Sequence, residues 1–573
     1  MANTFNGIRT KEEETVIRPA ASKEYDVYTV RHVLCLPSHF SRLRVQIPEP
    51  PLYRVVASNQ LYWSGHVDVD QLLKMNLVAG LVLLSLVVPF LVFTLLYRRR
   101  KQKYVQFPSA KPRWPLVGNA LNLDMAKCHI VLSEWAKELG PAFRINMFGE
   151  EILVLNDFES IHSALVTSGS HFAGRPSMYR TEHSQRNKNS IVWQTYTPKL
   201  ILMRKEVLKS LKMYGNGLDK LEEKCIPEIV DMLEQMAATK GQPFDPWDML
   251  YNAVCNVMLV LVLGIRLPYT DPGFHQLREI NKLFNVTFGS GSGRRLDFIP
   301  WLRYFHNDEY ERLIKALEMR DDFWEQQVTN RKEPVCGDSV VGKLFELVGT
   351  DKTPGIDITE ITVKESFTNL ILAGTDTTAT ALVCLLLILL HRSDIQSKIH
   401  QEIDLHIGQS RLPTLLDRAE MPFLEATLLE LLRYISHVPL AVPHSTICDT
   451  QILGRDVPAK TTVYINLFAM HHDPKYWKDP WKFDPTRFLD SREKLLPPQH
   501  EIRRRLMAFG AGRRVCLGEA LAKNRLFLFA AALLQRFQFL PGDPELPEID
   551  PRKYNLGLVL HPEHYRLIAR PRL

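Results

Sequence analysis

One cysteine near the C-terminus is surrounded by residue types that suit a metal ligand. In FGAGRRVCLGEALAK, residues 509–523, Cys516 lies among three glycines, including Gly518, and follows Phe509 and Arg514. Glycines let a backbone turn tightly and approach a flat ligand closely. The apolar helix expected to follow would direct its N-terminal dipole at the sulfur and favour a thiolate. A lone cysteine usually packs in a core, but this setting predicts a metal-binding thiolate beside an anionic cofactor edge that Arg514 would contact.

A second group of polar residues interrupts a long apolar run. Residues 369–390, NLILAGTDTTATALVCLLLILL, contain Gly374, Asp376 and Thr377. A charged residue at the centre of a membrane span costs about 2.5–3.5 kcal/mol, so a buried helix is favoured over a span. Asp376 could exchange protons, Thr377 could hydrogen-bond a backbone carbonyl, and Gly374 would leave room for a ligand. The alternative is a helix kink with no chemistry.

The cysteine stretch resembles a sequence signature of a known family. The arrangement Phe509-x-x-Gly512-x-Arg514-x-Cys516-x-Gly518 resembles the haem-binding loop of the cytochrome P-450 family. The resemblance implies haem b with Cys516 as the axial thiolate ligand of the iron. It also places Phe509, Arg514 and Gly518 among the cofactor-binding residues. An iron–sulfur cluster or a zinc site would need further cysteines or histidines nearby.

The polar stretch in the long helix resembles a second motif of the same family. AGTDTT is similar to its oxygen-activation motif, which implies that Asp376 and Thr377 are catalytic residues that deliver protons as O2 is activated. The resemblance extends over about residues 105–573, with the main motifs in the expected order. It implies the cytochrome P-450 fold, preceded here by one N-terminal transmembrane helix.

Three positions match residues that bind the haem propionates in this family. Arg204 in YTPKLILMRK matches one of them, although Leu200 stands where a tryptophan is usual. His444 in VPHST matches another, and Arg514 completes the set. Leu200 therefore predicts the loss of one hydrogen bond to a propionate.

Three charged residues are expected to form an ionic cluster that stabilises the fold next to the haem site. Glu430 and Arg433, in LLELLRY, share a helical face, and Arg487 follows in DPWKFDPTRF. The corresponding residues of the family form a buried ionic cluster. Removing one partner of such a cluster costs about 3–5 kcal/mol, which predicts a loss of folding or of haem retention.

Hydrophobic periodicity predicts one large domain, mainly α with a minor β part. Long helices are expected at about 198–213, 218–238, 309–330, 359–391, 394–406, 420–434 and 517–536. Two apolar runs, Phe143–Met147 and Glu151–Leu155, predict a β-hairpin. STICD, TQILG and TTVYINL, between residues 445 and 467, predict further strands of a small sheet.

The N-terminal part contains a predicted membrane anchor. Residues 77–97 carry no charge and are long enough to cross a hydrocarbon layer of about 30 Å. The basic run 98–101, RRRK, follows and places the rest of the chain in the cytosol by the positive-inside rule. We therefore expect an extension of unassigned role at 1–76, an anchor at 77–97, a basic, proline-rich hinge at 98–118 and a catalytic domain at 119–573.

Composition excludes several other classes of protein. The chain has 573 residues, 45% of them apolar, and a net charge of +7, which is modest for this length. Its eight cysteines form no CxxC pair, so a zinc site or a disulfide scaffold is not expected. The basic residues cluster, which favours one acidic partner over general nucleic-acid binding. The clusters comprise Lys205, Lys209 and Lys212, and then Arg503, Arg504, Arg505, Arg513, Lys523 and Arg525 around the cysteine loop.

The expected function is that of a single-pass, haem-thiolate monooxygenase of the endoplasmic reticulum membrane. It would insert one oxygen atom from O2 into a lipophilic substrate, with electrons from NADPH–cytochrome P-450 reductase and cytochrome b5 as a further candidate donor. The stretches FGAGRRVCLGEALAK and FIPWLRYF are most similar to steroid 17-alpha- and 21-hydroxylases and to their xenobiotic-oxidising neighbours. A steroid-like substrate is therefore expected first. A broad-specificity xenobiotic hydroxylase, a reductase-independent haem-thiolate isomerase or dehydratase, and a non-catalytic haem-binding membrane protein remain open.

Overall fold

The structure, a computed structural model, describes residues 106–213, 218–289, 295–331, 335, 337–349 and 355–572, with eight positions between 77 and 88. The chain divides into two compact units, Met1–Val82 and Leu83–Leu573. The expected extension 1–76 and much of the expected anchor 77–97 and hinge 98–118 lie outside the described residues. The described positions between 77 and 88 are helical, and their leucine and valine side chains are exposed.

The second unit is mainly helical. Its α-helices are α1 (Cys128–Leu139), α2 (Phe158–His162), α3 (Tyr179–His183), α4 (Arg186–Asn189), α5 (Pro198–Met213), α6 (Leu218–Ala238), α7 (Trp247–Leu263), α8 (Pro272–Phe288), α9 (Arg295–Phe298), α10 (Asp308–Trp324), α11 (Val340–Phe345), α12 (Glu360–His391), α13 (Ser393–His406), α14 (Pro422–Ile435), α15 (Leu467–His471), α16 (Glu501–Arg505) and α17 (Glu519–Arg536). The fold class predicted from the sequence is thus confirmed in its mainly helical character.

Small sheets make up the β part. The strands are β1 (Ala142–Met147), β2 (Glu150–Leu155), β3 (His444–Ser445), β4 (Thr450–Ile452), β5 (Arg455–Val457), β6 (Thr462–Ile465), β7 (Phe537–Pro541), β8 (Asn555–Leu556), β9 (Leu560–His561) and β10 (Leu567–Pro571). Four strands form a sheet in the order β1-β2-β6-β3, in which only β2 and β6 run parallel. The remaining strands pair as β7 with β10, β4 with β5, and β8 with β9.

Helix α12 runs through the core of this unit. It packs against α7, α14 and α17, and its side chains from Ala379 to Leu389 are all buried. Among the helices that the structure describes, α12 alone is long and apolar enough to cross a membrane, and most of it is buried within the protein. The prediction of a buried core helix is therefore confirmed.

Most predicted elements are present, but one predicted strand is wrong and three long helices of the described structure were not predicted. The seven predicted long helices correspond to α5, α6, α10, α12, α13, α14 and α17, and the predicted hairpin is β1 and β2. Of STICD only Ser445 lies in a strand, because Ile447 donates its N–H to the carbonyl of His171, 2.8 Å away, and leaves the sheet. Helices α1, α7 and α8 were not predicted.

Candidate active site

The cysteine loop is closed by its own backbone. The N–H of Cys516 donates to the carbonyl of Phe509 at 2.9 Å, and the Phe509 ring lies 5.3 Å from the Lys523 ammonium. Gly510 and Gly512 both adopt the left-handed conformation, with φ of +69° and +66°. A Cβ on Gly512 would lie 1.7 Å from the carbonyl oxygen of Leu165. Glycine is therefore required at position 512 by both conformation and contact.

The sulfur of Cys516 lies just before a helix, as the sequence predicts. Helix α17 begins at Glu519, with Gly518 at its N-cap position. Burial raises the pKa of the Cys516 thiol, and a hydrogen bond from the N–H of Gly518 opposes that shift. Cys516 is not in a disulfide and retains accessible surface, so a ligand can reach its sulfur. Such a thiol can bind a metal as a thiolate.

A half-buried arginine that no sequence motif indicated lies close to His444. The backbone of Gly174 pairs with that of Ser445, with N–H to O distances of 3.1 and 3.0 Å, and this bridge fixes the following residue, Arg175. The Arg175 guanidinium donates to the carbonyls of Val192 and Pro443, each at 2.9 Å. No motif pointed to Arg175, because β3 lies some 270 residues further along the chain.

The two predicted arginines of the propionate site meet Arg175 from other elements. Arg204 of α5 donates to the carbonyl of Val515, beside the cysteine, at 2.6 Å. Arg514 donates to the carbonyls of Ala173 and Gln194, at 2.7 and 2.5 Å. Backbone carbonyls thus orient these guanidinium groups without neutralising their charge.

The arginine cluster, defined as Arg175, Arg204 and Arg514, carries positive charge that no carboxylate balances. Burial, and then the charge of Arg204, lowers the pKa of Arg514 to about 9. Burial and the other two cations likewise lower the pKa of Arg175. No carboxylate is among the groups acting on the three arginines in the described structure, and Arg514 Nη1 has no hydrogen-bond partner there. The cluster therefore fits a ligand that brings its own anionic groups.

His444 completes this cationic surface as a neutral side chain. It is buried, and its Nδ1 lies 2.7 Å from the carbonyl of Phe172. Burial, followed by the charges of Arg175 and Arg514, lowers its pKa far below the usual value. In the neutral ring Nδ1 donates to the Phe172 carbonyl, so Nε2 donates to an anion only after a second protonation, which a bound anion would favour.

The position where the family usually has tryptophan is filled by a core residue. Leu200 has no exposed surface and packs in the main hydrophobic cluster. Tyr196, four residues earlier, is half-buried, and its ring centre lies 5.8 Å from the guanidinium carbons of both Arg513 and Arg514. A tyrosine hydroxyl thus lies beside the arginine cluster, although Leu200 itself offers no hydrogen bond.

One face of α12 is accessible although the helix is otherwise buried. Ala373 is exposed, Thr377 is half-buried, and the Thr377 hydroxyl donates to the Ala373 carbonyl at 2.8 Å. This bond confirms the expected contact of Thr377 with the backbone. The expectation that Gly374 leaves room for a ligand was wrong, because a Cβ there would lie 2.5 Å from Cε of Met258 in α7. Gly374 instead allows α7 and α12 to pack closely.

Asp376 points to a partner that the sequence did not predict. Its Oδ2 lies 3.3 Å from Nε2 of His561, at the end of strand β9. Only 6% of the Asp376 side chain is exposed, compared with 22% of His561. The predicted catalytic carboxylate is therefore paired with a histidine 185 residues further along the chain.

Arg525 was expected on the basic surface around the cysteine loop, and that expectation was wrong. The side chain is fully buried in α17 and donates to the carbonyl of Gly374 and the hydroxyl of Thr378, at 2.8 and 3.0 Å. It lies two residues from Lys523, which places the two side chains on opposite sides of the helix. Burial lowers the pKa of Arg525 to about 10. Arg525 connects the helix after the cysteine to the accessible part of α12.

The predicted ionic cluster is present and buried. Arg433 donates to both carboxylate oxygens of Glu430, at 2.7 and 2.8 Å, and Arg487 donates to Glu430 at 3.1 Å. Arg433 also donates to the carbonyl of His471 at 2.7 Å, and His471 Nε2 accepts the N–H of Met507 at 3.2 Å. The cluster thus supports the segment that leads into the cysteine loop, in agreement with a structural role.

These observations together fit a haem. A planar cofactor with an iron atom and two propionates needs a soft axial ligand and cations for its carboxylates. Cys516 offers the thiolate, and the arginine cluster offers the cations. Ala373 and Thr377 of α12 provide an accessible surface that is mainly backbone and small side chains. When bound, haem with a thiolate ligand supplies the activation of O2.

Comparison with known proteins agrees with this reading. Residues 108–569 match the family model described as Cytochrome P450. The chain is 34% identical over 475 residues to the steroid 17-alpha-hydroxylase/17,20 lyase of Gallus gallus, which covers 81% of this chain and 92% of that protein. It is 31% identical over 495 residues to cytochrome P450 2D4 of Rattus norvegicus, a match that covers 84% of this chain and 96% of that protein. It is 29% identical over 507 residues to cytochrome P450 1B1 of Homo sapiens, a match that covers 85% of this chain and 91% of that protein. The chain therefore belongs to the cytochrome P450 family, whose members are monooxygenases that use haem held by a cysteine thiolate.

Proposed function

We propose that this cytochrome P450 is a membrane-bound monooxygenase that inserts one oxygen atom from O2 into a steroid-like lipophile. Cys516 is the iron ligand in this proposal, and Arg204, Arg514 and His444 bind the propionates together with Arg175. The observation that carries the assignment is the arginine cluster, which lies next to the cysteine loop without a carboxylate to balance it. Half-buried cations that lie this close together favour an anionic partner.

The protein's own residues contribute binding, proton transfer and exclusion of water. The Gly518 N–H stabilises the thiolate of Cys516, and the carbonyl of Ala373 orients the hydroxyl of Thr377. Asp376 is the proton-transfer group that lies next to Thr377 on α12. The buried side chains that follow along α12 exclude water from the same region.

The steroid-like substrate is supported by the relatives of this chain. Several similar proteins carry the name steroid 17-alpha-hydroxylase/17,20 lyase, at identities of 30–34%. Other relatives are cytochromes P450 1B1, 2D and 1A1, so a broad-specificity xenobiotic hydroxylase is the rival proposal. Optical titration of the ferric protein with a pregnane-type steroid and with a planar aromatic hydrocarbon distinguishes them. Tight, saturable shifts with several aromatic compounds and none with the steroid would reject the steroid proposal.

We also propose attachment to the endoplasmic reticulum membrane through residues 77–97, with the catalytic domain on the cytosolic side. NADPH–cytochrome P450 reductase is the proposed electron donor, with cytochrome b5 as an optional second donor. Lys205, Lys209, Arg504 and Arg513 are exposed and would face an acidic donor. Lys209→Glu should slow reduction by the reductase about tenfold at low salt, with the difference disappearing at high salt. A defect that is independent of salt would argue against an electrostatic contact.

The iron ligand can be tested with a matched cysteine control. Cys516 and Cys448 are the two described cysteines with exposed surface, and neither is in a disulfide. The carbon monoxide difference spectrum of the reduced protein should show the strongly red-shifted Soret band of a thiolate-ligated haem. The band should vanish in Cys516→Ala and persist in Cys448→Ala. A red-shifted band that survives Cys516→Ala would overturn the assignment, and product formation without NADPH or reductase would favour the isomerase or dehydratase alternative.

A further inference from the structure

A histidine on the β8–β9 hairpin contacts the carboxylate that we propose as the proton-transfer group. His561 Nε2 lies 3.3 Å from Asp376 Oδ2, and its Nδ1 lies 3.4 Å from the hydroxyl of Thr380, one turn further along α12. Asp376 has little access to solvent of its own, whereas 22% of the His561 side chain is exposed. The imidazole therefore lies between bulk water and the carboxylate.

The hairpin is held rigidly against the end of α8. The Oδ1 of Asn285 accepts the N–H of Val559 at 3.1 Å and also that of Leu558. A Cβ on Gly557 would lie 2.4 Å from the same oxygen. On the other side, the N–H of Leu560 donates to the carbonyl of His437 at 2.9 Å. The position of His561 is thus fixed by its neighbours from both directions.

The side-chain amide of Asn285 gives His561 two defined protonation states. Because Asn285 Oδ1 accepts backbone N–H groups, its Nδ2 is the atom that lies 2.8 Å from His561 Nε2. A neutral imidazole accepts this N–H at Nε2, with its proton on Nδ1 facing Thr380. An imidazolium instead presents Nε2–H to Asp376. His561 Nε2 therefore has a donor partner, Asn285 Nδ2, when the ring is neutral and an acceptor partner, Asp376, when the ring is protonated.

We propose that His561 transfers protons from solvent to Asp376. It therefore acts through Asp376 and not directly on the substrate or cofactor. This inference rests on the proposed role of Asp376. In the transfer, the Nε2–H bond of the imidazolium breaks and an O–H bond forms on Asp376 Oδ2, which leaves a neutral imidazole and a neutral carboxyl. Water then returns a proton to Nε2, which is the one ring nitrogen of the neutral imidazole with a free lone pair. One proton moves in each step, and no other reactant is needed.

The charge surroundings of His561 favour protonation, whereas the Asn285 N–H favours the neutral ring, so the relay can use both states. Burial disfavours the cation, but the charge of Asp376 and its hydrogen bond outweigh burial and raise the pKa of His561. His437, which faces the pair from the loop after α14, is held neutral because burial lowers its pKa to about 3. Tyr251 of α7 is buried near Asp376, and its raised pKa keeps it neutral. Trp247 lies between His561 and the exposed pair His564–Asp245.

The proposal predicts a pH-dependent loss of coupling when the relay is removed. His561→Gln retains a hydrogen-bonding side chain but cannot change its protonation state. We expect its ratio of peroxide to hydroxylated product to rise about tenfold near neutral pH. This is less than the ~10²–10⁴-fold effect of a direct acid or base, because water still reaches Asp376 slowly. The wild-type ratio should rise as pH increases through the pKa of His561, and the variant should lack this inflection.

A control variant and a measurement without turnover separate the possible outcomes. His564→Gln, on an exposed histidine that follows the same hairpin, should leave the ratio unchanged. In resting protein with ¹³C-labelled histidine, the His561 ring should titrate above the ordinary histidine range, and Asp376→Asn should lower that pKa. A His561 ring that is neutral near pH 6, or an unchanged ratio of peroxide to hydroxylated product in His561→Gln, would overturn the relay. Neither result would overturn the proposed function. A wild-type protein with neither a thiolate-type Soret band nor product would overturn the proposed function and the relay with it.

Discussion

Two glycines in the cysteine loop have nearly the same backbone conformation but different surroundings. Gly510 and Gly512 have φ of +69° and +66°. A Cβ on Gly510 would meet no atom within 4 Å, whereas a Cβ on Gly512 would lie 1.7 Å from the carbonyl oxygen of Leu165. The pair therefore separates the cost of backbone strain from the cost of a clash between the loop and the segment Ser163–Thr167.

The expected magnitudes follow from these two terms. An L-residue in the left-handed region costs about 1–2 kcal/mol, and both alanine variants bear this cost. Overpacking against a rigid backbone adds about 1–3 kcal/mol, which falls on Gly512→Ala alone. We therefore expect Gly510→Ala to lose about 1–2 kcal/mol in the free energy of unfolding and Gly512→Ala about 2–5 kcal/mol.

Gly510→Ala and Gly512→Ala should differ more in haem ligation than in the free energy of unfolding. In Gly512→Ala the loop must move away from Leu165, and Cys516 lies four residues further along the same loop. Guanidinium unfolding measures the stability of each variant, and the carbon monoxide difference spectrum measures the fraction with a thiolate-type Soret band. Gly510→Ala should retain most of that band, and Gly512→Ala should lose most of it. Equal losses in the two variants would refute the contact between the loop and Leu165 as the reason for a glycine at 512.

Two further predictions concern groups outside the cysteine loop. Arg433→Met leaves Glu430 buried with only Arg487 as its cationic partner, so the free energy of unfolding should fall by about 3–5 kcal/mol in guanidinium titration. His129 is buried with neither ring nitrogen hydrogen-bonded in the described structure, and burial lowers its pKa to about 4. Because the unfolded state binds the proton more tightly, the stability that depends on neutral His129 is present above about pH 6.5 and is lost as pH falls towards 4. His129→Leu should therefore reduce the loss of unfolding free energy between about pH 7 and pH 5 by about 2 kcal/mol.

Features encoded within a few residues could be predicted from the sequence. The cysteine, its glycines and Arg514 lie within ten residues, so their spacing alone indicated the site. Glu430 and Arg433 are three residues apart on one helix, and the structure pairs them as expected. Helix α7 was missed for a physical reason, since nearly all its side chains are buried and its apolar run has no helical periodicity to detect.

Features formed by distant segments could not be predicted in this way. Arg175 reaches the arginine cluster because Gly174 pairs with Ser445, and His561 reaches Asp376 because a hairpin packs against α8. Neither pairing leaves a local signal in one sequence. Arg525 is different, because Leu521 and Leu528 share its helical face and indicate burial. Lys523 lies two residues away and therefore on the opposite face of the helix.

The arginine cluster should lower the stability of the haem-free protein and raise that of the haem-bound protein. Half-buried cations that repel one another without a counterion destabilise the haem-free chain, and an anionic ligand that binds only the folded state restores that free energy. Among the described residues Arg204 makes one hydrogen bond, to Val515, so Arg204→Met removes a charge and leaves one of their carbonyls without this donor. We expect this variant to stabilise the haem-free protein by about 1–3 kcal/mol and to release haem about tenfold faster to a haem-accepting apoprotein. Lys205→Met, on the exposed neighbour, should change neither quantity. If Arg204→Met instead destabilised both forms equally, Arg204 would be a packing residue and the cluster would not be a site for propionates.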